Sequence, residues 1–336
     1  MRVSPSATQC AAPNLAMEGE VMSSITDPLR PVDVVPAKMP HPPRNALPDG
    51  TCDAHSHVFG PYQDFPFATA SNYPPPLAPC PTYLAMLDTI GASRGVLVQP
   101  APYGTDNTAL VAALEAGAGR LRGVAVTRRD VTDEALRHLD SKGVRALRFN
   151  EMPSPQTGKP FVGSVGLEVA LSLASRMKAL DWHAQVWARC SDVPAITEKL
   201  ERAGLSVVFE HMTCFDPSLG TEHRDFQNVL ALLREGRVGV KLALCRVSKQ
   251  APGYEDLRPF HDLMVEANAR QLVWSSDWPY VRMADAAPDV GDLLNTFHEW
   301  VDDASLRETI LVDNPARIYR FDDCVQILST KGNPCH

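Results

Sequence analysis

The chain has 336 residues, of which 44% are hydrophobic and 21% charged, so it can bury a large core as globular proteins do. Its net charge of −8 argues against nucleic acid as a partner. No stretch approaches the roughly 18 consecutive apolar residues that a membrane span needs, so we expect no membrane partner either.

The first 50 residues carry many Pro, Ser and Ala residues without clear periodicity. Such a composition predicts an extended, partly disordered N-terminal arm over residues 1–50. Met22 is a candidate for the native start, which would make the preceding residues an upstream extension. We interpret residues 51–322 as one folded domain and residues 323–336 as a C-terminal tail.

A regular pattern begins after Gly50. Apolar runs typical of strands occupy 52–58, 95–99, 122–126, 144–149, 183–187, 206–211, 238–244 and 271–275. Segments with helical spacing lie between and after them, at 82–90, 107–116, 132–141, 165–180, 193–203, 224–234, 254–267 and 290–300. Eight such units predict an α/β fold of the (β/α)₈ TIM-barrel type. A doubly wound open sheet is the alternative, but no Gly-x-Gly-x-x-Gly follows the first strand.

Polar residues follow several predicted strands, and active sites in this fold lie at the carboxyl ends of the strands. His55 and His57, at positions i and i+2, should point to the same side of the first strand. His211 ends the sixth strand, and Asp277 follows the eighth. Such a set can polarise a carbonyl and activate water, with or without a metal ion.

Each of these side chains also has a structural alternative. The two histidines could be ordinary hydrogen-bonded residues at a strand end, and Asp277 could cap a helix. Arg148, inside an apolar strand, needs a partner, which could be Glu151, Glu210 or a substrate carboxylate. Arg246 follows the seventh strand, where an arginine is often simply solvated. The combination of these residues at equivalent strand ends favours a site.

The sequence resembles the amidohydrolase superfamily, in its amidohydrolase 2 branch, from about residue 50 to residue 321. Within that branch it is similar to small-lactone hydrolases of the 2-pyrone-4,6-dicarboxylate lactonase and 4-sulfomuconolactone hydrolase type. The resemblance is carried by DAHSHVFGP (53–61), VRALRFN (144–150), EHM (210–212), SDWP (276–279) and LVDNPARIY (311–319).

The resemblance implies a hydrolase that opens a small carboxylated lactone. It implies that Asp277 is the general base and that His55, His57 and His211 polarise the lactone carbonyl. It further implies that arginines bind the substrate carboxylate, at Arg148 and Arg246.

The fifth strand departs from the metal-dependent relatives, which carry a histidine near its end. Trp187 stands there, and His183 lies at the other end of that strand. We therefore favour no metal, with one zinc or manganese ion on His55, His57 and Asp277 as the alternative. Trp187 and Tyr280 are expected to line the substrate site.

A second departure concerns the substrate. Pyrone dicarboxylate hydrolases carry a further arginine soon after the one matching Arg148, whereas residues 150–154 contain no basic residue. This difference suggests a lactone with one acid group, or a bulkier ring that stacks on Trp187. Two other functions remain open, a metal-dependent decarboxylase of the same superfamily and a non-catalytic barrel that binds small acids.

Eight cysteines occur in the chain, and none forms a Cys-x-x-Cys pair. This pattern favours free thiols in a reducing compartment. Together with the lack of a basic, apolar leader pattern, it predicts a cytoplasmic protein whose partner is a small-molecule lactone or carboxylate.

Overall fold

The computed structural model describes residues 35–69, 73, 75–154 and 157–321. Within these residues eight parallel strands pair in chain order. The strands are β1 Cys52–Ser56, β2 Arg94–Val98, β3 Leu121–Ala125, β4 Val144–Asn150, β5 His183–Trp187, β6 Val207–Phe209, β7 Gly239–Leu242 and β8 Leu272–Trp274.

Helices connect the strands and cover the outside of the sheet. They are α1 Cys80–Ile90, α2 Thr108–Ala116, α3 Asp133–Ser141, α4 Leu167–Ala179, α5 Val193–Arg202, α6 Arg224–Arg234, α7 Arg258–Asn268, α8 Val290–Trp300, α9 Ala304–Glu308 and α10 Asn314–Tyr319. Their apolar faces pack on outward-facing strand residues, as the sequence spacing predicts. The predicted (β/α)₈ barrel is confirmed.

The barrel closes where β1 meets the segment after β8. An isolated bridge joins Ser56 to Trp278. The amide of Asp277 donates to the carbonyl oxygen of His55 at 2.9 Å, and the amide of His57 donates to that of Trp278 at 2.9 Å. Closure therefore holds the His-x-His segment directly beside Asp277.

Several strands are shorter than the apolar runs that predicted them. β1 ends at Ser56 and β6 at Phe209, so His57 and His211 follow their strands instead of lying within them. After β6 the backbone leaves the extended conformation, with a positive φ of 49° at His211. His57 and His211 consequently sit on loops at the ends of their strands, whereas His55, Arg148 and Trp187 lie within strands.

We call the end of the barrel where the strands finish the upper end, and the opposite end the lower end. Two residues from the C-terminal part of the described chain, Tyr319 and Phe321, fill the lower end. The ring of His183, which begins β5, lies 5.4 Å from that of Tyr319. The Arg122 guanidinium, near the start of β3, lies 4.6 Å from the Phe321 ring. His183 thus belongs to the lower end, as predicted.

The part of the N-terminal arm that the structure describes packs on the barrel. The amide of Ala37 donates to the carbonyl of Leu77 at 2.8 Å, and Trp278 Nε1 donates to that of Lys38 at 3.1 Å. Met22 and residues 323–336 lie outside the described residues. No helix in the described ranges is long and apolar enough to cross a membrane. The five cysteines within those ranges are free thiols, namely Cys52, Cys80, Cys190, Cys214 and Cys245.

Candidate active site

A cavity opens at the upper end, on the barrel axis, and encloses about 860 Å³ including the space at its mouth. Six of the eight predicted site residues line it, namely His57, Arg148, Trp187, His211, Arg246 and Asp277. His55 lies directly beneath, with its ring 5.0 Å from the rings of both His57 and His211. Tyr280 is buried and does not contribute to this lining.

Asp277 stands between the two histidines of the first motif. Its Oδ1 lies 3.6 Å from Nε2 of His55 and 3.6 Å from Nε2 of His57. All three side chains are at most 5% exposed. Residues more than 200 positions apart in the sequence therefore meet at one buried point on the cavity floor.

Asp53 ties together the two segments that carry this group. Its carboxylate accepts hydrogen bonds from the amide of Ser276 at 2.8 Å and from the hydroxyl of Ser276 at 2.7 Å. The hydroxyl of Ser56 donates to the same carboxylate at 2.5 Å. Because Asp53 precedes the histidines and Ser276 precedes Asp277, this network fixes their relative positions.

Left-handed backbone occurs in the two loops that carry His211 and Asp277. After β6, φ is 49° at His211, 49° at Met212, 62° at Thr213 and 49° at Cys214. After β8, φ is 61° at Asp277. Each such residue costs about 1–2 kcal/mol relative to ordinary backbone, and strain of this kind clusters at functional sites.

Arg246 binds the other oxygen of the Asp277 carboxylate. Its Nε donates to Oδ2, and its Nη1 donates to the carbonyl of Val281 at 3.0 Å. Burial raises the pKa of the Asp277 carboxyl, but Arg246 and the rings of His211 and His57 outweigh burial and hold that pKa well below its ordinary value. Asp277 is therefore ionised at neutral pH, with Oδ1 facing the histidines.

Two imidazoles at the floor are neutral at neutral pH. Burial and the nearby Lys241 hold the pKa of His55 well below its ordinary value. Burial also lowers the pKa of His211 to about 4. Neither ring nitrogen of His55, nor Nδ1 of His211, has a hydrogen-bond partner among the described residues. These nitrogens are therefore unsatisfied polar atoms beside the cavity floor.

His57 is oriented by the backbone. Its Nδ1 lies 2.7 Å from the carbonyl oxygen of Val98, which can only accept a hydrogen bond. Nδ1 must then carry the hydrogen, which directs Nε2 toward Asp277 Oδ1, 3.6 Å away. This spacing of an imidazole nitrogen and a carboxylate oxygen suits a water molecule or a cation bound to both.

Arg148 forms a two-pronged ion pair with Glu210. Its Nε donates to Oε1 at 2.9 Å, and its Nη2 donates to Oε2 at 2.8 Å. Gln185 adds a hydrogen bond to the same carboxylate at 2.5 Å. Burial raises the pKa of Glu210, but Arg148 and His211 more than offset it and hold that pKa at about 2. The structural alternative for Arg148 is therefore realised, although Arg148 also lines the cavity.

Sequence reasoning did not assign a functional role to several residues at this end. Lys241 on β7 is buried and donates to the carbonyl of Ala54 at 2.6 Å, and burial lowers its pKa to about 7. Phe161 and Arg282, on loops, line the cavity. A lysine in an apolar strand was a usable signal for Lys241, whereas neither loop carries a periodic pattern.

Trp187 forms part of one cavity wall. Its ring stacks on Phe161 at 5.2 Å and meets His211 edge-on at 5.8 Å. Its Nε1 donates to Cys214 Sγ at 3.2 Å, which fixes the orientation of the indole. The predicted position of Trp187 at the site follows from its place at the end of β5.

The floor residues also fit a metal ion. The ligand atoms of His55, His57 and Asp277 lie within 4.8 Å of one another. Two imidazole nitrogens and a carboxylate oxygen suit zinc or manganese, and a backbone carbonyl on His57 Nδ1 is a common support for a metal-binding histidine. Arg246 already neutralises Asp277, which weakens the attraction of this set for a cation.

Known proteins are similar to this chain in both sequence and fold. The profile of the Amidohydro_2 family, described as amidohydrolase, matches residues 52–321. A 2-pyrone-4,6-dicarboxylate hydrolase of Comamonas testosteroni is 33% identical over 83% of this chain and 93% of its own length. A 4-sulfomuconolactone hydrolase of Rhizobium radiobacter is 33% identical over 82% of this chain and 91% of its own.

Solved structures agree with these relatives. A Pseudomonas putida crystal structure, provisionally assigned as a 2-pyrone-4,6-dicarboxylic acid hydrolase, superposes with a TM-score of 0.70 at 29% identity. The match covers 82% of this chain and 99% of the other. A zinc-containing amidohydrolase of Burkholderia multivorans shares the fold, with a TM-score of 0.58 at 18% identity, 82% of this chain and 99% of the other.

Proposed function

The chain belongs to the amidohydrolase family, and on that premise we propose that it is a lactonase that opens a small carboxylated lactone. Two relatives that match over more than 80% of the chain are named for pyrone dicarboxylate and sulfomuconolactone hydrolysis. Both names describe ring esters that carry acid groups. The cavity, with its cationic and aromatic lining, suits a flat anionic ring of that size.

One observation carries the chemistry: Asp277 Oδ1 and His57 Nε2 lie 3.6 Å apart on the cavity floor. A substrate water molecule bound to both can donate a hydrogen to Asp277, which orients its oxygen toward the bound lactone. Asp277, ionised at neutral pH, then removes a proton as the water attacks. Arg246 holds the other carboxylate oxygen and keeps Asp277 in this position.

The developing oxyanion needs donors that carry no competing bond. The neutral rings of His55 and His211 meet this need, since each has a buried nitrogen without a partner among the described residues. As the carbon–oxygen bond of the ring breaks, the proton held by Asp277 passes to the leaving oxygen. The product is an open-chain carboxylic acid with a hydroxyl or enol group, and water supplies all added atoms.

A second candidate is a metal-dependent decarboxylase of the same superfamily. The orientation of His57, with Nδ1 on the Val98 carbonyl and Nε2 toward Asp277, favours it, because a metal-binding pair is arranged in this way. A zinc or manganese ion held by His55, His57 and Asp277 would supply Lewis-acid polarisation of the substrate. His211 and Arg246 would then position the substrate from the cavity wall.

The deciding experiment measures the metal content of the purified protein by mass spectrometry, with activity on a panel of carboxylated lactones before and after chelation. Hydrolysis that resists chelation supports the direct role of Asp277. About one equivalent of metal per chain, with loss of hydrolysis on chelation, moves His55, His57 and Asp277 to metal ligation. Carbon dioxide release from aromatic acids, without lactone opening, supports the decarboxylase.

A further inference from the structure

Three arginines line the cavity, and carboxylates bind two of them. Arg148 is bound by the Glu210 carboxylate through two hydrogen bonds. Arg246 is bound by Asp277. The third cation of the lining is Arg282, which forms no ion pair within the described part of the chain. The mouth of the cavity therefore has an excess positive charge at Arg282.

A contact with the Phe161 ring holds the Arg282 side chain at the cavity. Arg282 lies in the loop after β8 with a positive φ of 68°, five residues beyond Asp277. Its guanidinium lies 5.6 Å from the centre of the Phe161 ring, within the range of a cation–π contact. The side chain is otherwise exposed, so its N–H groups are open to an anion.

A row of aromatic rings in contact leads from the floor to this cation. The His211 ring meets Trp187 at 5.8 Å, and Trp187 stacks on Phe161 at 5.2 Å. Arg282 follows at the outer end of the row, over Phe161. A flat acid bound against this wall would direct the edge farther from His211 toward Arg282.

We infer that Arg282 is a specificity-determining residue that binds an acid group on the substrate edge remote from the scissile carbonyl. The inference rests on the proposed lactonase function and defines its substrate class, a flat lactone with a carboxylate on that edge. It also accounts for the lack of a basic residue at 150–154, because Arg282, in a different loop, can supply the positive charge instead. The planar guanidinium can bind both carboxylate oxygens.

The test compares binding of benzene-1,3-dicarboxylate and benzoate by calorimetry, in the wild-type protein and in Arg282→Gln. We expect the wild type to prefer the dicarboxylate. Arg282→Gln should weaken dicarboxylate binding roughly five- to tenfold and leave benzoate binding within about twofold, as loss of one charged hydrogen-bonding partner predicts. Arg224→Gln, at an arginine whose side chain is 88% exposed on α6, is the matched control and should change neither.

The same proteins are assayed for lactone hydrolysis, which separates this inference from the proposed function. An unchanged preference in Arg282→Gln, or no dicarboxylate preference in the wild type, overturns the role of Arg282 even if lactones are hydrolysed. A lost preference in a protein that hydrolyses no lactone supports the anion site and contradicts the lactonase. Arg282→Lys should recover part of the preference, because it restores the charge but not the fork.

Discussion

The two ends of the barrel differ in what their buried polar groups face: at the lower end they pack against Tyr319 and Phe321, whereas at the upper end they lie at the floor of a cavity. At the lower end Arg122 donates to the carbonyl of Arg320 at 3.0 Å and lies over the Phe321 ring. At the upper end both nitrogens of His55 and Nδ1 of His211 find no partner among the described residues. The lower end also has such atoms, at His183 Nε2 and the Tyr319 hydroxyl, but those of the upper end adjoin the cavity, where a ligand can satisfy them.

The backbone shows the same contrast. Four successive left-handed residues follow β6 at the upper end, whereas Tyr319 completes a compact apolar cluster inside the barrel. Backbone strain destabilises the upper end, and apolar packing stabilises the lower end. Substitutions at the upper end should therefore change activity more than stability, and substitutions at the lower end should do the reverse.

The largest effect is expected at the centre of the upper end. Asp277→Asn removes the proposed base, and kcat/KM for lactone hydrolysis should fall roughly 10³-fold, within the range that general bases contribute. Steady-state kinetics measure the activity, and a thermal melt measures the stability. The control is Asp130→Asn, at an exposed aspartate whose side chain is 73% accessible, and should change neither quantity. Full hydrolysis by Asp277→Asn would contradict the proposed role, and acid binding without hydrolysis by the wild type would favour the non-catalytic barrel.

Arg148 tests whether any group at the upper end is primarily structural. Arg148→Gln leaves the buried Glu210 carboxylate without its main partner, which should lower the free energy of unfolding by about 3 kcal/mol. The double variant Arg148→Gln with Glu210→Gln removes both charges and should recover most of that loss. Urea denaturation measures all three proteins. A raised KM with unchanged stability, and no recovery in the double variant, would instead assign Arg148 to the substrate carboxylate.

The lower end supplies the reverse case. Tyr319→Leu removes a fully buried ring from the apolar cluster and should lower the free energy of unfolding by about 2 kcal/mol. Its kcat and KM should stay at wild-type values, because the cavity lies at the opposite end. Tyr319→Phe is the matched control and should be nearly neutral, since the hydroxyl has no partner among the described residues. A loss of activity in Tyr319→Leu without a loss of stability would break the distinction between the two ends.

The fold and the position of the candidate site were predictable from local patterns. Apolar runs separated by amphipathic helices predict the barrel, and the barrel brings His55, His57, His211 and Asp277 to one end because parallel strands share a direction. These signals need no knowledge of which strands touch. The first motif even predicts which side of its strand the imidazoles occupy.

The pairing of charges was not predictable in the same way. Whether Arg148 meets a substrate or Glu210 depends on the relative heights of β4 and β6, which are separated by β5. The left-handed turn at 211–214 contains no Gly or Asn, the residues that ordinarily announce such backbone. Arg282 lies in an irregular loop, where no periodicity fixes the direction of a side chain.

The smallest effect concerns the pH dependence that Arg246 imposes on the upper end. In the wild type Arg246 helps to keep the pKa values of both Asp277 and His211 low. Arg246→Gln removes that positive charge, so both pKa values should rise. The carboxylate of Asp277 is then lost, and His211 becomes charged, at a higher pH than in the wild type.

Activity should therefore fall earlier on acidification in Arg246→Gln. For the wild type the acid limb is expected near the His211 pKa of about 4, and it should move to higher pH in the variant. The profile of kcat/KM from about pH 3 to pH 8 measures this shift, with Arg224→Gln as the exposed control. Because depressed carboxylate pKa values stabilise the folded state above the unfolded pKa, the stability difference between wild type and variant should shrink as the pH falls. An acid limb that stays in place would show that Arg246 acts on the substrate and not on Asp277.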